Sequence, residues 1–160
     1  MRSVRRRRLE RKTDYKARFG LLKSGKSRLV VRKTNRYVIA QIVKSDIAKD
    51  KVLLGMSTKD LLSLGWPKEK QGSLKSLAAC YSIGFLIGQK AKTLKETDLI
   101  LDMGMHRNTH KSRIYAVLKG AIDAGITIPV SEQSLPEEKD INRIKELESL
   151  VQKVTKEAKK

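Results

Sequence analysis

Three groups of residues in this 160-residue chain have types and spacings that could support chemistry. Gly20-Leu21-Leu22-Lys23-Ser24-Gly25-Lys26-Ser27 fits the phosphate-loop pattern G-x-x-x-x-G-K-[ST] at every fixed position, and Asp102, after Leu99-Ile100-Leu101, resembles the acid that would hold magnesium. A phosphate loop, however, must leave a buried strand and open a helix, so that backbone N–H groups and the helix N-terminus converge on phosphate. Here a basic segment precedes the string and a strand-forming run follows it. The same residues read as a turn, with Gly25 supplying backbone freedom and Lys23 and Lys26 facing solvent or phosphate.

His106 and His110 have the i, i+4 spacing of a helical metal pair, but no glutamate follows His106 and no third ligand is evident, so no metal is expected. They sit with Arg107, Asn108, Thr109, Lys111, Ser112 and Arg113 in a donor-rich loop beyond the C-terminal end of a strand, where α/β folds place binding loops. Nucleic-acid contact is the reading preferred over a merely solvated loop. Asp98, Asp102 and Asp123 could be imagined as a two-metal nuclease centre, yet capping and salt bridges explain single aspartates more simply.

Charge supplies the stronger signal. The chain carries 36 Lys+Arg against 17 Asp+Glu, a net charge of +19, which repels itself unless a polyanion neutralises it. Through Arg36 the basic residues outnumber the acids fifteen to two, so most of the excess lies in the first quarter. Four consecutive arginines, Arg5 to Arg8, with Arg11, Lys12 and Arg18, predict an arm that orders fully only against phosphates. Arginine suits bidentate phosphate contacts and stacking. No apolar run approaches the ~18 residues of a membrane span, and the N-terminus lacks the apolar core of a signal peptide, so a soluble intracellular chain is expected. Cys80 stands alone, without an internal disulfide partner, and reads as a core residue.

The elements that must position these residues follow from periodicity. Arg28 to Lys33 and Tyr37 to Val43 read as a hairpin closed by Thr34-Asn35-Arg36, with Leu29 and Val31 facing Val38, Ala40 and Ile42. Val52 to Met56 gives a third strand and Thr58 to Leu64 a short helical turn. Gly72-Ser73 opens a helix with Ser73 as N-cap, in which Gly84 and Gly88 permit close packing on the sheet. Thr97 to Asp102 resembles a central, doubly covered strand. Ile114 to Ala124 is a second helix stopped by Gly125. After Ser134 and Pro136, the apolar residues Ile141, Ile144, Leu147, Leu150, Val151 and Val154 recur at helical spacing in a charge-balanced tail, predicting a helix that docks on the body or on a neighbouring protein. The fold class is α/β: one domain with a mixed sheet, an antiparallel hairpin plus β-α-β, an extended basic N-terminal arm and a C-terminal helix. The expected divisions are residues 1–27 for the arm and turn, 28–131 for the α/β domain and 132–160 for the tail.

Several of these stretches, RRRR followed by RKTDYKAR, LLKSGKSRLVVRKTNRYVIAQIV, LGWP, AACYSIGFLIGQKA, LILDMG and SRIYAVLKGAIDAGITIP, resemble in order the archaeal-type members of the L-eighteen family of large-subunit ribosomal proteins, whose eukaryotic relatives are named L-five. The resemblance covers residues 5 to 136 approximately. It implies a ribonuclease-H-like topology, an arm threaded through ribosomal RNA, and binding of 5S ribosomal RNA with attachment to large-subunit RNA in the central protuberance. It also implies ribosomal-protein neighbours and a cytoplasmic place in the large subunit. It implies no catalysis, cofactor, small-molecule substrate or membrane. Carried onto this chain, the RNA-contacting residues are Arg5, Arg6, Arg7, Arg8, Arg11, Lys12, Tyr15 and Arg18 of the arm; Lys23, Ser24, Lys26, Arg28, Arg32, Lys33, Asn35 and Arg36 of the turn and hairpin; and His106, Arg107, Thr109, His110, Lys111, Ser112 and Arg113 of the loop.

Overall fold

The computed structural model describes residues 4–46, 49–141, 149 and 151–153. Strands β1 (Ser27–Lys33), β2 (Val38–Asp46) and β3 (Lys49–Ser57) form an antiparallel meander. Helix α3, as it is numbered after two short helices in the arm, spans Leu77–Thr93 and carries the chain across to strand β4 (Leu99–Asp102), which lies parallel to β1. The sheet order is β3-β2-β1-β4. Helix α4 (Arg113–Asp123) follows, and α5 begins the C-terminal segment at Glu138–Ile141.

The β1–β2 register follows from its alternation. Leu29 pairs with Ile42, Val31 with Ala40 and Lys33 with Val38, and Leu29, Val31, Val38, Ala40 and Ile42 are all fully buried on the face covered by α3 and α4. A slip of one residue would turn this set away from the helices, which is why the pairing is well specified. Thr34 closes the hairpin: its N–H and hydroxyl both donate to the Tyr37 carbonyl, at 2.9 and 2.7 Å.

Four expectations change. Gly20 to Ser27 is not one turn: Gly20 to Lys23 complete a helix, and only Ser24, Gly25 and Lys26 separate it from β1, with Gly25 at φ +67°. β4 is not a central strand but lies at the end of the sheet order, extended beyond by a single bridge between Asp98 and Thr127. α3 begins later than expected because Ser76, not Ser73, caps it, accepting from the Ala79 N–H, while the Ser73 hydroxyl accepts from the buried Trp66 indole N–H. Gly84 and Gly88 face α4 rather than the sheet. A Cβ on Gly84 would overlap the Val117 carbonyl and one on Gly120 the Tyr81 carbonyl, so the two helices meet backbone to backbone; even one methyl of overpacking typically costs about 1–3 kcal/mol. Of the apolar tail positions, Ile141 and Val151 join the core, while Ile144, Leu147, Leu150 and Val154 lie outside the described residues.

Candidate nucleic-acid interface

On its other face, the sheet exposes a different chemistry. Alternation that buries Leu29 and Val31 beneath the helices sends Arg28 and Arg32 to the opposite side. There Arg28, 2% exposed, donates to Asp102 at 2.7 Å and to Ser45 Oγ at 2.9 Å, and pairs with Asp50 at 2.9 Å. Arg32 donates to the same Asp102, to its carboxylate at 2.8 Å and its carbonyl at 2.6 Å. The Gly104 N–H completes the set at 2.9 Å. Gly104 has φ +62°, and a Cβ there would stand 2.9 Å from Arg32 Cζ, so the loop turns tightly around the guanidinium.

Burial alone would raise the Asp102 carboxyl, but the hydrogen bond and charge of Arg32, the Gly104 N–H and the charge of Arg28 outweigh it and hold it below the usual range. Its oxygens are committed to these donors, which argues for an anchor of cations rather than a magnesium ligand. The phosphate-loop reading fails on order as well: a helix precedes the string, a strand follows it, and Lys26 pairs with Asp98 at 2.6 Å. Among the described residues no three His, Cys, Asp or Glu side chains gather as a metal site.

The arm lies beside this network. Helix α1 (Arg6–Leu9) and helix α2 (Tyr15–Lys23) bury none of their residues. Asp14 caps α2, accepting from the N–H groups of Lys16 and Ala17, and the Arg5 guanidinium stacks 4.7 Å from the centroid of Tyr15. Arg7 donates to Thr13, while Arg6 and Lys12 share Glu10. Arg18 anchors α2 to the sheet through Asp50 at 2.7 Å. The Asp50 carboxyl is raised by burial but lowered more by hydrogen bonds from Arg18, Ser45 and Arg28, and settles at about 2. Between α2 and the end of β4 runs a cleft of about 520 Å³ whose walls include Arg7, Lys12, Arg18 and Arg32.

The loop after β4 is joined to the hairpin. His106 Nε2 accepts the Lys33 backbone N–H at 3.0 Å. Burial, followed by the charges of Lys33 and Arg32, lowers the His106 pKa, which suits a neutral, accepting nitrogen. His110 turns elsewhere: its Nδ1 lies 3.1 Å from Ser134 Oγ. The two histidines therefore serve separate contacts, and the i, i+4 spacing falls on non-helical chain.

Of the residues expected at an RNA surface, the structure gathers Arg5, Arg7, Arg8, Arg11 and Lys12 on the exposed arm, and brings Arg32 and Lys33 against His106 and the loop. Lys23, Ser24, Lys26, Asn35, Arg36, Arg107 and Thr109 are exposed. Arg28 is corrected: it is a buried strut within the fold and offers no surface to a partner. Lys111 is exposed but pairs with Glu137 at 2.6 Å and Asp140 at 3.3 Å, while Ser112 and Arg113 are half-buried at the start of α4. Sequence reasoning missed Asp50 and Ser45 as anchors, and it missed Tyr37, Lys59 and Lys75, which fold next to Arg36; the wide separation of these residues along the chain left no local signal.

Comparison with known proteins places this surface in context. The model of the family described as ribosomal large subunit proteins 60S L5 and 50S L18 matches residues 1–99 and 89–131. A large ribosomal subunit protein uL18 of Korarchaeum cryptofilum is 44% identical over 152 residues, covering 95% of this chain and 75% of its own. Another uL18, from Methanothermobacter thermautotrophicus, is 41% identical over 136 residues, covering 85% of this chain and 69% of its own.

Proposed function

The chain belongs to the family of large-subunit ribosomal proteins that includes 60S L5 and 50S L18, and from that premise we propose that it binds 5S ribosomal RNA and helps attach it to large-subunit ribosomal RNA in the central protuberance. It is a structural component of the large subunit and not an enzyme. The observation that carries the proposal is the joining of three basic segments, arm, hairpin end and post-β4 loop, along one side of the sheet through Arg18–Asp50, Arg32–Asp102 and Lys33–His106. Such a surface reads phosphate spacing and shape, the features that A-form RNA displays, because its base edges lie deep in a narrow groove.

In this reading the surface residues among those expected from the sequence contact RNA, with the arm supplying most of the charge neutralisation. The chain divides into arm (1–27), body (28–131) and tail (132–160), the tail docking on the body through Ile141 and Val151, with large-subunit ribosomal proteins as its neighbours. The order β3-β2-β1-β4, with β4 parallel to β1 and Thr127 bridging beyond it, supports a ribonuclease-H-like topology. The direct test is equilibrium binding of the full chain to 5S RNA and to an unrelated structured RNA of equal length at one salt concentration. Preference for 5S RNA is expected; equal affinity for both would reduce the protein to a nonspecific basic chaperone.

A further inference from the structure

A second basic site lies at the hairpin turn and shares no lining residue with the cleft beneath α2. The turn, the 3-10 segment Thr58–Leu62 and the chain from Gln71 to Lys75 enclose a groove of about 610 Å³. Its lining contains three cations, Arg36, Lys59 and Lys75, and no carboxylate. Lys75 donates to the Asn35 carbonyl at 3.0 Å and so ties the turn to the groove's far wall. Arg36 and Lys59 are exposed, and no ion-pair partner is recorded for either among the described residues.

The rest of the lining is suited to a planar body rather than to phosphate alone. Leu74 is buried and Leu62 packs against the core, forming an apolar floor. Tyr37 is half-buried yet stands outside the hydrophobic core, and its hydroxyl has no recorded partner among the described residues. An aromatic side chain in the wall of an open groove, flanked by cations without ion-pair partners among the described residues and lacking acids, is the combination that holds an unstacked base and its phosphates. Pockets of about 300–1,000 Å³ accommodate small organic ligands, and this one falls within that range. A base held in duplex could not reach the ring, so the ligand must come from a bulge, loop or strand end.

We propose that this groove takes one unpaired nucleotide of ribosomal RNA, its base against the Tyr37 ring and its phosphates on Arg36 and Lys59. The proposal rests on the reading of the chain as an RNA-binding ribosomal protein and adds to the arm-side surface a second, base-contacting site. An acidic peptide would satisfy the cations but makes no comparable use of the aromatic face.

The experiment measures binding of the full chain to 5S RNA and to protein-free large-subunit RNA, across a salt series, for the parent, Tyr37→Leu, Tyr37→Phe and the double variant Arg36→Ala/Lys59→Ala. Loss of one base stack predicts about tenfold weaker binding of Tyr37→Leu to one of the two RNAs, with its salt slope unchanged and Tyr37→Phe near the parent. The double variant, altered only at exposed positions, should flatten the slope of log K against log salt by about 1.4, the contribution of two single-strand phosphate contacts. Parent-like binding of Tyr37→Leu and of the double variant to both RNAs would overturn the site, as would equal loss in Tyr37→Phe and Tyr37→Leu. A parent that binds neither RNA would instead overturn the ribosomal RNA reading, and this proposal with it.

Discussion

Removing residues 1–13 tests the arm while leaving the Asp14 cap of α2 in place. The deleted stretch contains α1, which buries none of its residues, so the thermal midpoint of the body should be unchanged. Its cations are not equal. Arg6 and Lys12 lean on Glu10, whereas Arg5, Arg7, Arg8 and Arg11 have no acidic partner recorded among the described residues. If those four each displace a counterion from RNA, the slope of log K against log salt should become shallower by about 3 to 4. Over a fourfold rise in salt this corresponds to roughly a hundredfold difference in how far affinity falls between parent and truncated chains. Filter binding or fluorescence anisotropy with 5S RNA at four or more salt concentrations gives the slope, and circular dichroism confirms the fold. Slopes that agree within about 1 would show that the arm does not neutralise phosphates, and the argument from unpaired arginines would fail.

Two further outcomes probe the network under the arm. Asp102→Asn leaves the buried Arg28 with only Asp50 and Ser45; breaking a buried ion pair costs about 3–5 kcal/mol, and the surviving partners place the loss near the lower end, roughly a 10 °C fall in Tm. A stability change below about 0.5 kcal/mol by urea denaturation would show that Asp102 does not carry that charge. Asp50 titrates at about 2 in the folded chain against an ordinary 3.8. A lowered carboxylate contributes stability that is fully present above the unfolded value and is lost as pH falls through the folded one. The parent should therefore lose stability between these two values more steeply than Asp50→Asn; parallel pH curves would contradict the assignment.

Much of the hairpin was legible in the sequence because β-branched alternation and a polar turn are local signals: Leu29, Val31, Val38, Ala40 and Ile42 fall where their spacing predicts. Arg28 was not legible as a buried residue. Its neighbours give the correct face, but the carboxylate that makes burial tolerable is 74 residues away, and nothing local distinguishes it from Arg32, which remains partly exposed. Helix α2 was hidden for another reason: its residues form no apolar stripe, and it rests on the Asp14 cap and on Arg18 rather than on the core. The choice between Ser73 and Ser76 as the α3 cap turned on Trp66, whose indole takes Ser73 as its partner. The loop at 106–112 was placed correctly as non-helical chain, with α4 starting one residue earlier than expected at Arg113, yet the pairing of Lys111 with Glu137 and Asp140 depends on a later segment folding back.

The separation between Arg28 and Asp102 also sets a schedule. At about 5–20 residues per second, synthesis takes roughly 4 to 15 s to traverse the 74 residues between them, whereas a hairpin closes in about 1–10 µs. For several seconds of each chain's life the β1–β2–β3 meander can exist with Arg28 held by Asp50 and Ser45 without Asp102, and with β1 lacking its parallel neighbour, while the arginine-rich arm is already made. The nascent chain thus presents its arginine-rich end before the strand that completes the sheet has been translated, and a polyanion that met it early would compete with Asp102 for Arg28. Once β4 is in place that arginine is sealed, and the window for a mispaired contact closes with it.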